Sequence, residues 1–120
     1  MGLARRGAGR HPAGVAYDLE LAERVRAALG GTPEVTEKKM FGGLAFLVGG
    51  SMGLAVSGSG GLMVRCDPAL ADDLVTRDGV ARMVMQGREL AGWVLVDPAT
   101  LDDVRLPEYV AAGVEAARAA

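Results

Sequence analysis

Between Val35 and Cys66 the chain reads VTEKKMFGGLAFLVGGSMGLAVSGSGGLMVRC, a series of short apolar segments cut by Gly-Gly, Gly-Gly-Ser and Gly-Ser-Gly-Gly. Apolar runs between glycine turns read as antiparallel strands joined by hairpins. Strands are expected at about Glu34–Phe41, Leu44–Val48, Met52–Ser57 and Leu62–Cys66. Alternation sets Leu44, Phe46, Val48, Leu54, Val56, Leu62, Val64 and Cys66 to one side of a sheet, and Ala45, Leu47, Gly53, Ala55, Met63 and Arg65 to the other. The first face is bulky and should take the helices. The second, with Gly43, Ala45, Gly53 and Ala55, is small-residued and flat enough to receive a second sheet, so a homodimer through it is expected.

Helices are expected on both sides of this block. Tyr17, Leu21, Val25 and Leu29 recur every four residues, with charges between them, and predict an amphipathic helix over Ala16–Leu29. Gly30-Gly31 stops it and Pro33 prevents its resumption. Asp67-Pro68 is a helix opening, an N-cap followed by proline at the first helical position, and that helix should run to about Thr76. Ala81–Met85 and Leu90–Val96 read as strands around a turn at Gln86–Glu89, and Trp93 reads as a core or sheet anchor. Asp97-Pro98 opens a short helical turn, and Pro107 is expected to begin a last helix with the apolar line Val110, Val114 and Ala117. Hairpin strands with a few helices argue for a two-layer α+β domain, an antiparallel sheet with helices on one face, in the order α-β(3-4)-α-β(2)-α. A domain over residues 16–120 would follow a disordered basic arm over residues 1–15.

Composition narrows the chemistry. The arm holds Arg5, Arg6 and Arg10 and no acid, hence +3, whereas the remaining chain has ten bases against fifteen acids, hence −5. An acidic body with a short basic arm is a poor duplex binder, since phosphate contacts need clustered Lys and Arg. One cysteine excludes an internal disulfide and fits a reducing, cytoplasmic compartment. One cysteine and one histidine make no zinc-type cluster, and no calcium-loop spacing occurs. No apolar run approaches the roughly 18 residues of a membrane span.

Several pieces of the chain resemble the TfoX N-terminal domain family. They are Tyr17-Asp18 ahead of Leu21-Ala22-Glu23-Arg24-Val25, the string Val35-Thr36-Glu37-Lys38-Lys39-Met40-Phe41-Gly42-Gly43, Ala45-Phe46-Leu47-Val48, Gly61-Leu62-Met63-Val64-Arg65, and Gly92-Trp93-Val94-Leu95-Val96-Asp97. The resemblance implies a helix, three strands, a helix, two strands and a helix over one antiparallel sheet, similar to secretion-chaperone-like folds. It also implies a regulatory or protein-interaction module and not an enzyme, because the named members are competence regulators that act as transcription co-activators. Those regulators carry a further helical C-terminal domain, so the chain is expected to be a stand-alone N-terminal module. The expected partner is a protein, such as a transcription regulator.

Lys38, Lys39, Met40, Phe41, Gly42 and Gly43 form the candidate binding surface. Strand alternation points Lys38 and Lys39 to opposite faces, and the glycines alone read as a bend at a strand end. The turns at Gly49-Gly50-Ser51 and Gly58-Ser59-Gly60-Gly61 lack the Gly-Lys-Ser/Thr ending of a phosphate loop and lead into no helix, so they read as hairpins. Cys66 lies just before a helix N-terminus that could activate it, yet reads as a small core residue. The pairs Asp72-Asp73 and Asp102-Asp103 read as solvated helix surface. No catalytic, cofactor or metal residues are expected. Two other readings stay open: a nucleic-acid-associated factor using the arm and Lys38-Lys39, and an enzyme or small-ligand binder with an unrecognised pocket.

Overall fold

A computed structural model describes residues 17–40 and 42–120. The basic arm expected over residues 1–15 and the candidate residue Phe41 lie outside the described residues. The elements follow as α1 (Leu19–Leu29), β1 (Val35–Met40), β2 (Gly43–Val48), β3 (Ser51–Val56), β4 (Leu62–Arg65), α2 (Pro68–Leu74), β5 (Val80–Met85), β6 (Arg88–Val96), a 3₁₀ turn (Pro98–Thr100) and α3 (Arg105–Ala119). All four strands of the glycine-punctuated block form. The fourth is no irregular extension, because β4 pairs antiparallel with both β3 and β6.

The six strands make one open antiparallel sheet in the order β1-β2-β3-β4-β6-β5. Leu44, Phe46, Val48, Leu54, Val56, Leu62, Val64, Val94 and Val96 share one face and merge into a single core with Leu21, Val25 and Leu29 of α1, Ala71 and Leu74 of α2, and Leu106, Val110 and Val114 of α3. Phe46 is fully buried at its centre. Helix α3 lies across β3 and β4, α2 packs on β6, and α1 leans on α3. The result is a two-layer α+β fold with its helices on the bulky face.

Local chemistry explains the element ends. The carboxylates of Asp18, Asp67 and Asp97 accept backbone N–H bonds from Leu21, Ala69 and Ala99, each at 3.0–3.1 Å, and so open three helical segments. The last helix starts at Arg105 and not at Pro107, because Asp102 accepts from the N–H groups of Val104 (3.0 Å) and Arg105 (2.6 Å). Pro107 then occupies the first turn, where a missing N–H leaves no helical bond unmade. The β5–β6 turn is also tighter than the expected Gln86–Glu89. Only Gln86 (φ 53°) and Gly87 (φ 77°) form it, both in the left-handed conformation of a two-residue hairpin, so β6 begins at Arg88.

One local register change alters the packing. Phe46 pairs with Leu54, but Leu47 pairs with Met52, so Gly53 is an extra residue in β3. The bulge turns Gly53 towards α3, where a Cβ built on it would lie 2.5 Å from the Gly113 carbonyl oxygen. Gly53 therefore belongs under a helix, not on the small-residue face where simple alternation places it.

Three longer-range contacts tie the layers together. Arg26 of α1 makes a two-pronged bond to Glu37 of β1, at 2.6 and 2.8 Å. Arg24 of α1 donates to the Leu101 carbonyl at 2.6 Å. Arg77, beyond α2, pairs with Glu108 of α3 at 2.7 Å and lies over the Tyr109 ring.

Candidate functional site

Of the candidate residues, Lys38, Lys39 and Met40 lie on β1, an edge strand of the sheet, and both lysines are exposed. Lys38 faces Ala45 across the ladder and Lys39 faces Leu44. Since Leu44 belongs to the core face and Ala45 does not, the two lysines point to opposite sides of the sheet and make no common patch. The glycine pair has a structural account. Gly42 turns the chain at φ 75°, and a Cβ on Gly43 would collide with the Val56 carbonyl of β3. Packing thus requires Gly43 and the turn's positive φ favours Gly42, while the lysines are left unexplained by the fold.

The side of the sheet away from the helices is the larger surface. The registers set Lys38, Ala45, Ala55, Met63, Leu95 and Ala81 in one row that crosses all six strands. Leu47 and Met52 face each other beside that row, as do Arg65 and Trp93. Among the described residues no helix lies over this face: the buried core the helices share contains none of these side chains. Ala45 and Ala55 are nevertheless buried, while Leu47, Met52, Met63, Trp93 and Leu95 are half-buried. The face is therefore apolar, with small residues only at its middle strands. Arg65 caps it by donating from Nη1 to the Met52 carbonyl at 3.3 Å. Of the two readings of Trp93, a core or a sheet anchor, the structure keeps the second: it lies in β6 on this face, opposite Arg65 and outside the core.

A second concavity was not visible in the sequence. A cavity of about 900 Å³ opens between the start of α1, the Gly58–Gly61 turn, the start of β5 and the end of β6. Leu21, Val80, Leu95, Val96 and Pro98 supply apolar wall, and Asp18, Glu20, Arg24 and Asp97 supply polar groups. Asp18 and Asp97 cap helical turns, and Arg24 holds the Leu101 carbonyl. The cavity draws on segments far apart in the chain, so no local motif announces it.

The remaining reactive groups have structural surroundings. Cys66 is buried in the core, its N–H donates to the Gly92 carbonyl at 2.9 Å, and burial pushes its thiol pKa up, with neighbouring Asp67 adding to the rise. It is the opposite of an activated thiolate. Asp72 pairs with Arg82, and Asp102 is held below the ordinary carboxylate range by the N–H groups of Arg105 and Val104. Among the described residues, no group of three or more His, Cys, Asp or Glu side chains is placed to hold a metal ion. No described helix is long and apolar enough to cross a membrane.

The chain matches the TfoX N-terminal domain over residues 27–117 and belongs to that family. No curated protein and no solved structure matches it.

Proposed function

We propose that this TfoX N-terminal domain is a non-catalytic regulatory module that works in the cytoplasm by docking a protein partner, a transcription regulator, on the helix-free face of its sheet. The observation that carries the reading is the row Ala45, Ala55, Met63 and Leu95, an apolar strip crossing the central strands outside the core shared by the described helices. Half-buried methionines and a tryptophan suit such a surface, because a flexible thioether repacks against a partner and an indole offers a large contact area. Lys38 at one end of the row supplies a charged rim.

Charge speaks against direct duplex binding. Arg5, Arg6, Arg10, Lys38 and Lys39 offer about five phosphate contacts at most, and each contributes a salt slope near −0.9. They work against a body of net charge −5, and Lys38 and Lys39 sit on opposite sides of the sheet.

Affinity capture from the source lysate, followed by identification of bound protein and nucleic acid, tests the proposal when run beside the variants Leu47→Lys and Met63→Lys. A protein retained by the wild type and lost by both folded variants is expected. A partner retained equally by all three removes the helix-free face from the reading. Submicromolar binding of labelled duplex at about 0.15 M salt, where charges are screened beyond roughly 8 Å, would replace it with the nucleic-acid reading.

A further inference from the structure

We infer that the free edge of β5 is a strand-addition site, and that its occupant is β5 of a second copy of this chain. An open sheet ends in two edges, each a row of backbone N–H and C=O groups ready to pair with another strand. The edges of this sheet are β1 and β5, and they differ sharply. Strand β1 carries Glu37, Lys38 and Lys39, all exposed. Charges of that kind, lysine above all, are what keep an edge from pairing.

Strand β5 has no such guard. Its sequence is Val-Ala-Arg-Met-Val-Met, and its one charge, Arg82, is paired with Asp72 of α2 and lies 4.0 Å from Glu89 of β6. Val84 and Met85 are 58% and 47% exposed, two of the four exposed large hydrophobic residues among the described residues. Between Ala81 and Met85 no backbone group has a described hydrogen bond beyond the ladder to β6. The register slip between β5 and β6 falls on the β6 side, where the Leu90–Trp93 stretch bows past Met83. That leaves β5 itself an unbulged edge.

A second copy fits this edge better than an arbitrary peptide because the strand is close to self-complementary. Antiparallel pairing about a two-fold axis at Met83 sets Ala81 of one copy opposite Met85 of the other, and Arg82 opposite Val84. No like charges then face each other, and both guanidiniums keep their Asp72 partners. A two-fold axis placed likewise on Glu37 or Lys38 of β1 would set that charge directly against its own copy. The pairing edge is β5, one strand beyond the end of the strip Ala45, Ala55, Met63 and Leu95, so it goes beyond the proposed partner surface and leaves that strip open in the dimer. An added strand alone covers less than the roughly 1,200–2,000 Å² of a standard interface, which places the association in the weak, concentration-dependent class.

Sedimentation of the full chain over about 1–300 µM, a range chosen for a weak interface, reads the association directly. A monomer–dimer equilibrium is expected, with dissociation at least ten-fold stronger in the double variant Val84→Lys, Met85→Lys. Both positions are exposed, so the fold should tolerate them; Val84→Lys alone, on the Arg82 side of β5 and not the side of Ala81, is the second variant if that one fails to fold. Met63→Lys, on the helix-free face, should leave the equilibrium unchanged. Amide exchange at Ala81–Met85 should slow as concentration rises. A monomer throughout, or a dimer indifferent to the β5 lysines, overturns the inference. A dimer lost only with Met63→Lys overturns it too and moves the contact to the open face.

Discussion

Gly113→Ala is the most informative single substitution in this molecule, because two sizeable effects oppose each other there. Gly113 sits inside α3, where replacing glycine by alanine ordinarily stabilises a helix by about 1 kcal/mol. Here the new Cβ would stand 2.6 Å from the Gly53 carbonyl oxygen and 2.8 Å from Leu54 Cγ, against 3.4–4 Å for ordinary contact. Neither neighbour can yield cheaply: one is backbone in the β3 bulge, the other a fully buried leucine. Overpacking of a tight core costs about 1–3 kcal/mol, and a backbone clash belongs at the upper end. The clash should win, for a net loss of about 2 kcal/mol. With a urea slope of about 1–3 kcal/mol per molar, the unfolding midpoint should fall by roughly 1 M. Ala111→Gly, at an exposed position of the same helix, should lose about 1 kcal/mol through propensity alone and calibrates the assay. A Gly113→Ala midpoint equal to or above wild type would refute the close crossing of α3 over the bulge.

Phe46→Ala, at the centre of the core, should cost about 3–5 kcal/mol in the same denaturation assay. Acid should weaken the layer contacts: the bond from Arg26 holds Glu37, and the bond from Arg77 holds Glu108, below the ordinary value of 4.5. Groups with depressed folded pKa values stabilise fully above that ordinary value and cease to as pH falls through the folded ones. A pH titration of thermal unfolding should therefore fall below about pH 4.5, and less so in Glu37→Gln. The Cys66 thiol should be inert to a thiol reagent in the native state and react at the rate of global or local opening, which exchange kinetics in dilute urea will measure.

Much of the fold is legible in the sequence because its signals are local. Alternation from Leu44 to Val64 identifies the helix-bearing face, and Asp67-Pro68 and Asp97-Pro98 mark their own helical turns through a carboxylate that reaches two residues ahead. The misplacements occur where a partner strand or a distant segment decides. Gly53 is a bulge only because Leu47 pairs with Met52, and a strand read by itself gives no register. Pro107 is a plausible helix start until Asp102 takes the N–H groups of Val104 and Arg105. Trp93 reads equally as a core or a sheet anchor, and only its register opposite Arg65 decides for the sheet and the other face. The candidate segment Lys38–Gly43 is half explained: collision with Val56 accounts for Gly43, while nothing in the fold asks for two lysines.

The burial of Ala45 and Ala55 connects the two halves of this molecule, since among the described residues neither alanine belongs to the core the helices share. Both alanines lie in the row that ends at Lys38 and Ala81. Larger side chains flank them, Leu47 and Met52 beside the row and Met63 and Leu95 farther along it. The small residues thus lie beneath apolar, half-buried neighbours on that face. Such close packing limits the hydrophobic area shown to water, which keeps the face compatible with a free chain. It also presents a partner with methionine and leucine side chains around a tightly packed centre, the kind of site that carries most of an interface's binding energy. A larger residue at Ala45 or Ala55 would displace those neighbours, weakening a docked partner while leaving the helix-bearing core on the opposite face untouched.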